Sequence, residues 1–189
     1  MKGNNMKNVE ELQLKALEKL DNIFKEAQIA AILQKKGEEG ISNNVLSCLN
    51  DSFGISGAEV MSRFYFAPME VSPEGVQYFV AMSTLSDELP IERVAEVSQA
   101  VGMLNYYIPY GAFAVDPLTR SVIYRITTPI TTELSEEELI EEVDILAGQS
   151  LDMAERYCYL ILQVAFQGMS VDDFMDTILN SNPEESEQA

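Results

Sequence analysis

The side chains that most enzymes use for acid–base or nucleophilic work are thinly supplied. The sequence contains no histidine and only two cysteines, Cys48 and Cys158, so His-based triads, histidine-ligated zinc and imidazole catalysis are excluded at the outset. The two cysteines lie far apart, each among apolar residues and without Cys-x-x-Cys spacing, which predicts buried, reduced thiols. Carboxylates do cluster, at Glu136, Glu137, Glu138, Glu141, Glu142 and Asp144. Glu138 and Glu142 share a helix face, and an oxygen-only site of that kind would suit Mg²⁺ or Ca²⁺. There is no Glu-x-x-His and no EF-hand loop, however, and Ser135 followed by Glu138 is a capping box, so the expectation is a helix start with no metal and no other cofactor. Gly-rich phosphate loops and Gly-x-Ser-x-Gly are absent as well. No catalytic residues are assigned, and the chain is expected not to be an enzyme.

What remains for recognition is aromatic and basic. Tyr106, Tyr107 and Tyr110 surround Pro109. Together with Tyr65, Tyr124 and Arg125 they form the candidate surface for a partner or ligand, although tyrosines at a helix end also pack against sheets for purely structural reasons. An alternative reading makes the tyrosine rim, with a carboxylate such as Glu92 or Glu96, the site of a small-ligand sensor or enzyme.

Charge restricts the partners. Of 189 residues, 12 are basic and 31 acidic, a net charge of −19, with an isoelectric point near 4.1. Residues 1–40 hold seven Lys and seven acids; the remaining 12 − 7 = 5 bases, all Arg, face 31 − 7 = 24 acids in residues 41–189. Phosphate backbones and anionic membrane surfaces are repelled by such a field, so neither nucleic acid nor membrane is an expected partner. The amino terminus lacks the apolar core of a secretory signal, and no uncharged apolar run of membrane-spanning length follows. The expected location is the cytoplasm.

The elements that must hold these residues follow from periodicity and punctuation. Leu12, Ala16, Leu20, Ile23 or Phe24, Ala27 and Ala31 recur at helical spacing and predict one amphipathic helix over 9–34, ended by Gly37 and Gly40. Residues 43–51 suit a short strand or a helical turn, too few for periodicity to separate, and are read as a weak strand. Residues 60–66 and 76–82 are rich in β-formers and flank Ser72-Pro73-Glu74-Gly75, a hairpin signature. Val94, Val97, Val101, Leu104 and Ile108 lie on one helix face after Pro90 and before Pro109. Residues 112–115 and 121–127 flank Asp116-Pro117-Leu118-Thr119, a type I turn. A helix from Ser135 to Gly168, with Leu139, Val143, Leu146, Ala147, Ala154, Cys158, Ile161 and Ala165 as its stripe, precedes a short helix from Ser170 and an acidic tail from Asn182. The order α-β-β-β-α-β-β-α-(α) predicts an α+β fold in which an antiparallel sheet of about five strands carries helices on one face. Three segments are expected: the amino-terminal helix at 1–40, the main domain at 41–168, and the short helix and acidic tail at 169–189.

The run Leu89-Pro90-Ile91-Glu92-Arg93, the strand into turn Gly111-Ala112-Phe113-Ala114-Val115-Asp116, and the strand Val122-Ile123-Tyr124-Arg125 before a long acid-capped helix resemble the bacterial YbjN family over about residues 60–166. Members are labelled sensory transduction regulators and are similar in fold to type III secretion chaperones. The resemblance implies a small, acidic, homodimeric protein of the cytoplasm that holds another polypeptide along its sheet face or edge, and it transfers no catalytic residues. The dimer is expected to form through the helix at 90–108 or through a sheet edge.

Overall fold

Alternating and all-apolar strand patterns bracketed by helical stripes must pair as a sheet and bury one face under helices. The computed structural model, which describes residues 2–38, 40–68 and 75–181, has this arrangement. The hairpin residues Ser72, Pro73 and Glu74 and the acidic tail from Asn182 lie outside the described residues. Helix α1 (Lys2–Glu26) is followed by strands β1 (Ala30–Gln34), β2 (Val45–Phe53), β3 (Ala58–Phe66) and β4 (Val76–Ser86). Helix α2 (Val94–Leu104), strands β5 (Ala112–Asp116) and β6 (Ser121–Thr131), and helices α3 (Glu136–Phe166) and α4 (Val171–Ser181) complete the order. All neighbouring strands are antiparallel, in the order β1-β2-β3-β4-β6-β5. The fold is thus α+β as expected, with six strands rather than about five.

The extra strand corrects the first helix. Helical spacing runs through Ala27 and Ala31, but the chain turns at Gln28, whose φ is +62°. Ile29 N–H donates to Phe24 O at 2.8 Å and Gln28 N–H to Lys25 O at 3.1 Å, the paired bonds of a Schellman cap. Residues 30–34 then run back along β2, Ile32 opposite Ser47. The helix expected over 90–108 is also shorter, since a 3₁₀ turn at Ile91–Arg93 precedes it and it stops at Leu104.

Strand β6 extends beyond its expected end through a proline. Tyr78 O accepts from Ala67 N–H on the β3 side, so the Tyr78–Pro129 pair is a non-hydrogen-bonded one. The missing N–H of Pro129 points to the side where β5 has already ended at Ala112–Arg125.

Two apolar clusters fill the space between sheet and helices. One joins Leu17, Leu20 and Phe24 of α1 to Leu46, Phe64 and Phe79 and to the first half of α3 at Leu139, Val143 and Ala147. The other joins α2, α4 and the second half of α3 to Val60, Leu85, Phe113 and Tyr124. Between them on the sheet lie Ser62 and Ser83, fully buried partners whose hydroxyls are 2.7 Å apart. All eight residues of the α3 stripe are buried.

Candidate binding surface

Strand alternation sends every second side chain to the face opposite the helices. On β3 these are Met61, Arg63 and Tyr65; on β4, Tyr78, Val80, Met82 and Thr84; on β6, Ile123, Arg125 and Thr127. On β2 and β1 they are Val45, Ser47, Leu49 and Ile32. None of them belongs to either apolar cluster. Cross-strand register orders them in rows. Ser47, Arg63, Met82 and Arg125 form one row, with Ile32 at its β1 end; Leu49, Met61, Thr84 and Ile123 form the next; Val45, Tyr65, Val80 and Thr127 form a third. Val80 is wholly buried although it belongs to neither cluster; its neighbours are Tyr65 and Thr127 across and Tyr78 and Met82 along. Ile32 is 70% exposed, while Met61, Tyr65, Tyr78, Met82 and Ile123 are half-buried. The face is therefore a mixed surface, partly apolar, that no helix residue of either cluster joins, crossed by two exposed arginines.

The residues named from sequence divide among three places. Tyr65 and Arg125 lie on this face. Tyr124, adjacent to Arg125, points the other way and is fully buried, so it is no part of a surface. It packs on Phe113 with ring centroids 4.7 Å apart and donates its hydroxyl to Tyr110 O at 2.8 Å. Burial pushes its titration well above the usual tyrosine range. Tyr106, Tyr107 and Tyr110 stand at the exposed end of α2, Tyr106 at 85% exposure and stacked edge-on against Tyr107. Tyr110 is tied to the core through its carbonyl, which accepts from Tyr124.

Glu96 sits at the other end of α2, ten residues from Tyr106, about 15 Å at helical rise, and is paired with Arg93. Arg93 also donates to Val164 O at 3.0 Å and Met169 O at 3.1 Å, closing the carbonyl end of α3. The helix thus separates the tyrosine rim from Glu92 and Glu96, so the rim does not assemble with either of these carboxylates.

The carboxylate run starts α3 as its pattern dictates. Ser135 N–H and the Ser135 hydroxyl both donate to Glu138 Oε2 at 2.8 Å and hold the Glu138 carboxyl below its usual range, while Glu138 N–H donates to Ser135 Oγ at 3.3 Å. Glu136 instead reaches Lys15 of α1 at 2.8 Å, and this bond raises the lysine's titration. Among the described residues no three Cys, Asp or Glu side chains converge as metal ligands. Both cysteines are free and buried; burial pushes the Cys48 thiol up to about 11, so it is a thiol, not a thiolate, at neutral pH.

The sheet edges differ. At β5, the Asn105 side chain accepts from Phe113 N–H and donates to Phe113 O, both at 2.8 Å, and so occupies the outward groups of that residue. At β1, the outer side has no neighbouring strand among the described residues.

Sequence reasoning missed Arg63, Met82, Met61, Tyr78, Ile123 and Ile32. The signal was in β4, where Val76, Tyr78, Val80 and Met82 alternate with the buried Gln77, Phe79, Ala81 and Ser83. Apolar residues in both phases of a strand mark two apolar faces, and the helices account for one. No helix of the described residues is long and apolar enough to cross a membrane. No protein-family model matches the chain, and no curated protein matches it.

Proposed function

We propose that the protein is a non-enzymatic polypeptide-binding module of the cytoplasm, chaperone-like or regulatory, which holds its partner on the uncovered face of the sheet and is itself a homodimer. The observation that carries this reading is the face itself: Ile32, Leu49, Met61, Tyr65, Tyr78, Met82 and Ile123 across β1–β4 and β6, which belong to neither core cluster. Exposed contiguous apolar patches are uncommon on proteins that act alone and mark interaction sites. The resemblance of residues 60–166 to the YbjN family and its secretion-chaperone-like fold supports the same reading. The test is photo-crosslinking in cells from a benzoylphenylalanine placed at Tyr65, with one at Glu141, exposed on α3, as the control. Discrete protein adducts from position 65, absent from position 141 and lost on Ile32→Asp, are expected. Equal adducts from both positions, or adducts indifferent to Ile32→Asp, would refute the assignment of the surface.

A further inference from the structure

We propose that the segment docking on the open sheet face is acidic as well as apolar, and that Arg63 and Arg125 select it. This rests on the reading of that face as a polypeptide-binding surface. The chain carries 31 acids against 12 bases, yet the three central rows of the face hold two arginines and no carboxylate. Arg63 and Arg125 flank Met82 in one cross-strand row, two strand spacings or about 10 Å apart.

Neither arginine forms an ion pair with a described residue; among the described residues, the one side-chain bond of the pair runs from Arg125 Nε to Thr127 Oγ1 at 3.0 Å. Elsewhere among the described residues Lys15, Lys25, Lys35, Lys36 and Arg93 are in ion pairs, whereas Lys19, Arg120 and Arg156 are not; what sets Arg63 and Arg125 apart is their shared row on the open face. The acids of this face lie at its margins. Glu59 is four residues along β3 from Arg63, about 13 Å at strand rise, and the Asp116 carboxylate accepts from the Leu118 and Thr119 backbone at the β5–β6 turn.

A segment that covers Met82 and Val80 must also strip water from both guanidiniums. A charge desolvated without a counter-charge costs more than the apolar contact returns. The covering segment therefore has to bring acceptors, and carboxylates match the guanidinium fork best. A second copy laid face to face would bring two more arginines and no carboxylate in its three central rows. Nucleic acid would need a wider basic field than two arginines in a chain of net charge −19.

The test is selection of displayed random 16-residue peptides on the full-length protein, followed by fluorescence anisotropy with the enriched peptides. The expected binders combine aliphatic or aromatic residues with two or more Asp or Glu, and lose at least tenfold in affinity to the double variant Arg63→Gln/Arg125→Gln and to Met82→Asp. Arg63→Lys/Arg125→Lys, which keeps the charge without the fork, should lose several-fold and serves if the Gln variant melts without cooperativity. Neutral or basic binders that still depend on Met82, or acidic binders indifferent to the arginine changes, would overturn the acidic selection and leave the open-face reading standing. Binders indifferent to Met82→Asp, or no enrichment at all, would overturn both. A doubled mass in light scattering that collapses on Met82→Asp would assign the face to a second copy and overturn the inference as well.

Discussion

Gly111 and Tyr124 fit together by a margin of one atom. Gly111 has φ +67°, and a Cβ there would lie 2.2 Å from the Tyr124 hydroxyl oxygen. Gly111→Ala therefore combines left-handed strain with displacement of a buried ring, and melting should show a loss of about 2–4 kcal/mol. Tyr124→Phe removes only the bond to Tyr110 O and should cost about 1 kcal/mol; equal losses for the two changes would show that the contact is not steric. This pair also shows where single-residue reading fails. Tyr124 and Arg125 are neighbours in sequence and were both plausible surface residues, but a strand sends neighbours to opposite faces. The phase could be read only once the buried face was known, and Phe113, Val122 and Ile126 define it. Arg63 looked isolated for the same reason, because its companions Met82 and Arg125 are brought to it by pairing and not by spacing.

At the scale of elements, most boundaries were legible because each had a chemical marker. Ser135 with Glu138, Ser170 with Asp173, and Asp116 before Pro117 all make the capping bonds their patterns imply. The end of α1 had none, since Gln28 is neither Gly nor Asn, and Ala30 and Ala31 suit a helix as well as an edge strand. A residue with a Cβ at φ +62° carries left-handed strain, so Gln28→Gly should raise stability by up to about 1 kcal/mol. A loss on chemical denaturation would contradict the Schellman geometry. For the capping box, Ser135→Ala should cost about 1 kcal/mol at neutral pH. Glu138 is held below its usual range by Ser135, so its contribution is complete above the ordinary glutamate range and is lost as pH falls through the lowered value. The gap between wild type and Ser135→Ala should accordingly narrow on acidification, as read by denaturant melts across pH; a gap that widens in acid would refute the carboxylate's part in the cap.

Over the whole molecule, charge and edges point to the same end for self-association. The net charge of −19 falls on residues 41–189, whereas residues 1–40, which include α1 and β1, are neutral overall. The β5 edge is engaged by Asn105. At the β1 edge two copies could pair without pressing two acidic fields together, and such pairing would leave the open face continuous. Light scattering at micromolar concentration should give twice the 21.1 kDa chain mass, falling to one chain when Ala31 and Leu33 are replaced by Pro; a monomer from the outset would end this account of the assembly. One-sided helical cover was legible from the order of elements. The composition of the uncovered face was not, because it depends on which phase of each strand the helices take.

The account stands or falls on whether the sheet face opposite the helices is open in the isolated protein and covered when a binder is present. Hydroxyl-radical footprinting of the full chain measures this directly, because the face carries Met61 and Met82 while Met153 and Met175 are 4% and 6% exposed in the core. Met61 and Met82 should oxidise well ahead of the core methionines in the free protein, and should be protected by a saturating selected peptide while exposed α3 positions are unchanged. Oxidation of Met61 and Met82 as slow as that of Met153 in the free protein, or protection that falls on α3 and leaves both untouched, would contradict it.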